Sequence, residues 1–159
     1  MIWLYILVVG ILFCIAYQDI KMLAVNWPAF PLLGLLLFII NYHQLPKFYF
    51  YWSTSINIFI VSLILILLYM YAKYILKQKF YAVFGLGDIL FFYAFSLGFP
   101  TISFIVLFVF SIIFSLCIHI FLSRKTKNKH VPLAGFMSIF LILIFLLDIY
   151  LPNFSIYNY

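Results

Sequence analysis

The sequence predicts an all-α polytopic membrane protein of about six transmembrane helices, and three observations carry that prediction. Of its 159 residues, 69% are hydrophobic and 8% are charged, about a third of the charged fraction of an ordinary soluble domain. The apolar residues fall into long runs bounded by charge, Pro and Asn, on the scale of the roughly 20 residues that a membrane-crossing helix needs. The basic residues cluster between alternate runs. A water-soluble fold is excluded, and the length leaves no room for a separate soluble catalytic domain. With no internal repeat or linker, residues 1–159 read as a single membrane-embedded domain, and any chemistry must sit on the helices or at their ends.

The spans are expected near 1–18, 25–41, 52–76, 80–99, 101–122 and 131–151. The first has no basic leading region and no small-residue cleavage site before the polar Gln18-Asp19 pair, so it reads as a retained helix rather than a removable signal peptide. The second opens on Asn26-Trp27-Pro28, where Asn would cap the first backbone N–H groups and Pro would fall in the turn that lacks partners anyway. The third is a continuous apolar run. The fourth carries an acid, Asp88, and is separated from the fifth only by Gly98 to Thr101, which suits a tight hairpin. The sixth follows a basic stretch and a Pro. The 21 Phe and 13 Tyr residues suit lipid-facing surface and interfacial belts.

Orientation follows from the basic residues. With the N-terminus outside, the inner loops hold Lys21, then Lys73, Lys77 and Lys79, then Arg124, Lys125, Lys127 and Lys129, whereas the outer loops hold Lys47 alone. Treating 80–99 as a re-entrant loop would move the last four basic residues outside. Six crossings with both termini outside are therefore expected. The net charge of +6 is a topology signal, and the partner it implies is the lipid bilayer, not nucleic acid. The inner basic loops would meet anionic head groups, an attraction of roughly 1 kcal/mol per residue near the surface.

Three acids are present and no Glu. In this topology Asp19 and Asp88 share the inner face, while Asp148 falls at the opposite, interfacial end of the last span. A carboxylate in a spanning segment costs roughly 2.5–3.5 kcal/mol on insertion scales, so it marks a functional site by default. No Lys or Arg within its own run neutralises Asp88, which leaves Asp19 as the acid on its side. Two carboxyl groups brought together share one proton and titrate as a unit. One then acts as general base on a water attacking a carbonyl, while its protonated partner polarises that carbonyl and helps protonate the leaving amine. Gly85 and Gly87, just before Asp88, would let a backbone approach the acid, with close helix packing as the alternative reading. No metal or other cofactor is expected. Cys14 and Cys117 stand alone and read as packing residues, and His43, His119 and His130 are scattered.

Three strings resemble a known family. Asp19-Ile20-Lys21 followed by Val25-Asn26 resembles the first catalytic motif of the prepilin and preflagellin peptidases. Phe84-Gly85-Leu86-Gly87-Asp88-Ile89 resembles their second, the G-x-G-D element, and His130-Val131-Pro132-Leu133-Ala134-Gly135-Phe136 is similar to the Pro-containing segment that opens their last core helix. The elements occur in family order across nearly the whole chain. The resemblance implies a six-helix G-x-G-D aspartic protease core with Asp19 and Asp88 catalytic, and with Gly85, Gly87 and Pro132 where substrate backbone approaches. It further implies cleavage of leader peptides from type IV prepilin-like or pseudopilin-like substrates at the cytoplasmic face of the cytoplasmic membrane. The sequence departs from the family pattern at Leu90, where many members have Lys, at Val25, where Pro is usual, and at Leu133-Ala134-Gly135, where a longer Gly-Pro pattern is common. It lacks the paired cysteines of the large members, so methyl transfer is not expected. The G-L-G-D string also resembles presenilin-like proteases, but those have about nine helices. A non-enzymatic membrane protein assisting filament or secretion assembly is the alternative.

Overall fold

The computed structural model describes residues 2–22, 24–77, 84–123, 132–150 and 156–157. Among these there is no strand, and six α-helices follow one another: α1 (Ile2–Met22), α2 (Ala29–Gln44), α3 (Lys47–Met70), α4 (Leu86–Ser96), α5 (Thr101–Ser123) and α6 (Leu133–Tyr150). Four stretches are long and apolar enough to cross a membrane, Trp3–Met22, Lys47–Ile75, Thr101–Leu122 and Leu133–Tyr150. Helices α2 and α4 have 16 and 11 residues, or about 24 and 16 Å at 1.5 Å per residue, against a hydrocarbon core of about 30 Å.

The expected boundaries move for identifiable reasons. Helix α1 runs past residue 18 to Met22, because nothing in Gln18 to Lys21 breaks a helix and a basic residue in the last turn suits its negative end. Asp19 therefore lies on the helix itself. Asn26 does not cap α2 with its side chain. The N-cap is Pro28, without a side-chain cap bond, while the Asn26 carbonyl accepts the Ala29 N–H at 3.0 Å and the Asn26 N–H donates to Gln18 Oε1 at 3.0 Å. The loop expected between the second and third spans shrinks to Leu45-Pro46, since the aromatic and polar residues on either side tolerate helix and only Pro interrupts it.

Helix α3 widens into a π-helical turn over Tyr71–Ile75 and stops near Lys77, whose φ is 52°. The fourth span differs most. Gly85 is the extended N-cap of α4, so Asp88 belongs to a first turn and not to the middle of a long helix; residues 80–83 of the expected span lie outside the described residues. At the other end of α4, the N–H groups of Leu97 and Gly98 turn back onto Ala94 and Phe95 at 3.3 and 3.1 Å, and Pro100 starts α5.

Helix α4 is the centre of the bundle, packed on α2, α3, α5 and α6, while α1 lies along α6 and α2. Its Phe91 and Phe95 are fully buried, and with Phe30, Phe50, Phe99, Phe104 and Phe145 they are among the largest fully buried side chains. Small residues set the α2–α4 spacing: a Cβ on Gly34 would lie 3.4 Å from the Ala94 Cα, and one on Gly98 would lie 3.3 Å from the Leu37 side chain, the kind of approach that membrane helices use in place of a hydrophobic driving force. A helix that ends inside a bundle leaves its last carbonyls without partners, and lipid cannot supply them. Two fully buried asparagines do so here. Asn41 Nδ2 donates to the Leu97 carbonyl at 3.1 Å, and Asn57 Nδ2 donates to those of Ser96 and Phe99 at 3.2 and 2.8 Å.

Candidate active site

The site forms where the end of α1 and the start of α4 meet the start of α6. Helices α1 and α6 lie against each other in opposite directions, which sets the last turn of α1 beside the first turn of α6. There the Gly135 N–H donates to Asp19 Oδ2 at 2.6 Å, and the N–H of the preceding residue, Ala134, donates to Asp88 Oδ1 at 3.1 Å. These contacts join residues 116 and 46 positions apart in sequence. First-turn N–H groups have no partner within their own helix and carry the positive end of its dipole, so consecutive amides of one helix gather both carboxylates. Asp88 also reaches back to the main chain of Gly85. Asp88 lies three positions after the N-cap Gly85, the spacing at which an acidic side chain returns to the N-cap amide. Both acids are half-buried and close enough to interact electrostatically.

The nearby glycines divide into different roles. A Cβ on Gly85 would lie 3.2 Å from Asp88 Oδ2; its backbone conformation is open to any residue, so what its missing side chain provides is space over the acid. A Cβ on Gly87 would instead meet the Phe30 ring of α2 at 3.3 Å. Gly87 therefore serves helix packing. The tightest position is Gly135, whose Cβ would lie 3.0 Å from the Asp19 Cβ and 3.1 Å from its Oδ2. Pro132 acts one step back: its carbonyl accepts the Phe136 N–H at 3.2 Å, which opens α6 at the register that aims the 134 and 135 amides at the acids.

The remaining candidates fall outside this cluster. Lys21 Nζ donates to the Tyr17 hydroxyl at 2.7 Å and lies over the same ring at 5.1 Å. Leu90 faces an apolar groove of about 550 Å³ between α2 and α4, with Phe30, Gly34 and Tyr93 among its walls. Val25 is half-buried against the core. Asp148 is at the opposite end of α6. Cys14 and Cys117 are exposed and not packing residues as expected, since each lies on the outward surface of its helix. No group of three or more His, Cys, Asp or Glu side chains among the described residues could hold a metal ion. His130 and the basic run from Arg124 to Lys129 lie outside the described residues.

Sequence reasoning found both acids and missed the donors that gather them. A main-chain N–H has no residue letter. The available signal was indirect: a small pair, Ala134-Gly135, two residues after a Pro at an expected helix start. Comparison with protein-family models, with curated proteins and with solved structures found no match to this chain.

Proposed function

We propose that this chain is a membrane aspartic endopeptidase using Asp19 and Asp88. It would cross the cytoplasmic membrane six times with both termini outside and cut the leader peptides of type IV prepilin-like or pseudopilin-like substrates at the cytoplasmic face, without methyl transfer. The observation that carries this reading is the meeting of two acids from distant parts of the chain at consecutive amides of one helix. The Gly135 contact occupies one oxygen of Asp19 and leaves the other for chemistry, while Asp88 is held by Ala134 through Oδ1 and by the main chain of Gly85. The deprotonated member activates a water, and the protonated member donates to the substrate carbonyl as the tetrahedral intermediate forms. The proton taken from the water then passes to the leaving amine as the C–N bond breaks, and the proton on the former carbonyl oxygen returns to the pair. An extended peptide would pass over Gly85, where the missing side chain leaves Asp88 Oδ2 approachable.

The test is cleavage of a candidate prepilin in membranes containing the wild-type chain, Asp19→Asn or Asp88→Asn, with expression and insertion matched. Either substitution is expected to abolish cleavage, a loss of at least about a thousandfold if one carboxyl supplies about 4 kcal/mol or more of barrier lowering. Unchanged cleavage in one of them would sink the mechanism. A second reading, a non-enzymatic protein assisting filament or secretion assembly, draws on the same contacts: both acids already have main-chain donors, as a purely structural clasp would. It predicts that Asn, which also accepts through Oδ1, supports assembly in place of either Asp.

A further inference from the structure

The third acid has no place in the two-aspartate site, yet three helices converge on it. Asp148, in the last turn of α6, accepts the Ile156 N–H through Oδ1 at 3.2 Å. It also acts electrostatically on the Tyr5 hydroxyl of α1, which lies near Gln44 in the last turn of α2. The residues that this carboxylate secures are deeply packed: Ile156 and Tyr157 are 4% and 5% exposed. The Tyr157 ring stacks on Phe99 in the α4–α5 turn, with centroids 6.0 Å apart and an interplanar angle of 26°. Phe99 also meets Phe145 of α6 at 5.9 Å and Phe95 of α4 at 5.4 Å.

We propose that Asp148 is a latch that holds Ile156–Tyr157 as a plug in the end of the bundle opposite the Asp19–Asp88 pair, with Phe99 as the platform on which the plug sits. A buried backbone N–H needs an acceptor, and in a bundle whose interior is largely aromatic and aliphatic a carboxylate at the end of α6 provides a strong one. A buried aromatic ring removes a large apolar area from water and orients against its neighbour. The two contacts divide the work: the carboxylate fixes the backbone of the plug, and the ring stack fixes its depth. Because Phe99 packs on Phe95 of α4, the plug also braces the helix that carries Asp88. This inference does not rest on the peptidase reading.

The experiment uses the full chain in detergent with Cys14→Ser and Cys117→Ser, and with Ile156→Cys as the only thiol. The rate of reaction with a water-soluble maleimide is measured. With Asp148 in place the thiol is expected to react slowly. Asp148→Ala should raise the rate at least tenfold, and Asp148→Asn, which still offers Oδ1 to the residue 156 N–H, should retain most of the protection. Tyr157→Ala, which keeps the hydrogen bond and removes the stack, should also raise the rate, and it decides the matter if Asp148→Ala fails to elute as a folded, helical species. A rate unchanged in whichever of these variants folds would overturn the plug, and equal acceleration by Asn and Ala at 148 would overturn the latch.

Discussion

A carboxylate held by a main-chain N–H depends on where the donor's backbone lies and very little on which side chain the donor carries. Asp19 and Asp88 are both held in this way, so the sensitive neighbour is the residue whose side chain would push the backbone away. Gly135 is that residue. A methyl group there would lie 3.0 Å from the Asp19 Cβ, and overpacking of this kind costs about 1–3 kcal/mol. Gly135→Ala is therefore expected to lower cleavage about tenfold or more while the helical content in circular dichroism stays unchanged. Lys21→Ala should leave cleavage within about twofold of wild type, because Lys21 is engaged with Tyr17; a large loss there would mean that its charge acts on Asp19 after all. Asp19, Asp88 and Gly85 were legible in the sequence because acids in apolar runs and glycines beside them stand out by residue type. Gly87 was legible as a small residue, but its letter could not say whether it faces an acid or, as it does, the Phe30 ring.

At the scale of elements, α4 explains why boundaries were harder to read than the existence of the helices. Apolar composition runs on through residues 80–99 without a break, so hydropathy alone extends the fourth span over the whole run. The helix is bounded by Gly85 at one end and by the Gly98-Phe99-Pro100 turn at the other, and the carbonyls at that end accept hydrogen bonds from Asn41 and Asn57. In the sequence Asn41 reads only as the end of the second span and Asn57 as a polar residue in an apolar run, since neither letter names a partner on another helix. Asn57→Leu, close in volume, would leave the carbonyls of Ser96 and Phe99 unpaired. At about 1–3 kcal/mol for each buried group left without a partner, the variant should unfold at least about 2 kcal/mol more easily in detergent. Thermal unfolding followed by tryptophan fluorescence would measure it, and an unchanged midpoint would mean that those carbonyls find other donors.

For the whole molecule, the helical character and the presence of membrane-length apolar helices, four among the described residues, followed from composition, because a chain with so few charges has little polar surface to turn toward water. The arrangement of the helices did not follow, since lipid-facing and core-facing residues are both apolar and differ only in their neighbours. One consequence of that arrangement concerns the thickness of the membrane around it. Helix α2 turns Leu32, Leu35 and Phe38 outward and presents a wall only about 24 Å tall, beside partners long enough to cross fully. Lipids bordering that wall would have to compress, and such mismatch costs a fraction of a kcal/mol per ångström. Local thinning on that side would shorten the path by which water reaches the two acids. Cleavage in vesicles is therefore expected to be faster when the acyl chains are short than when they are long at equal protein density, and a flat dependence on chain length would mean that the acids draw their water by a route the lipids do not control.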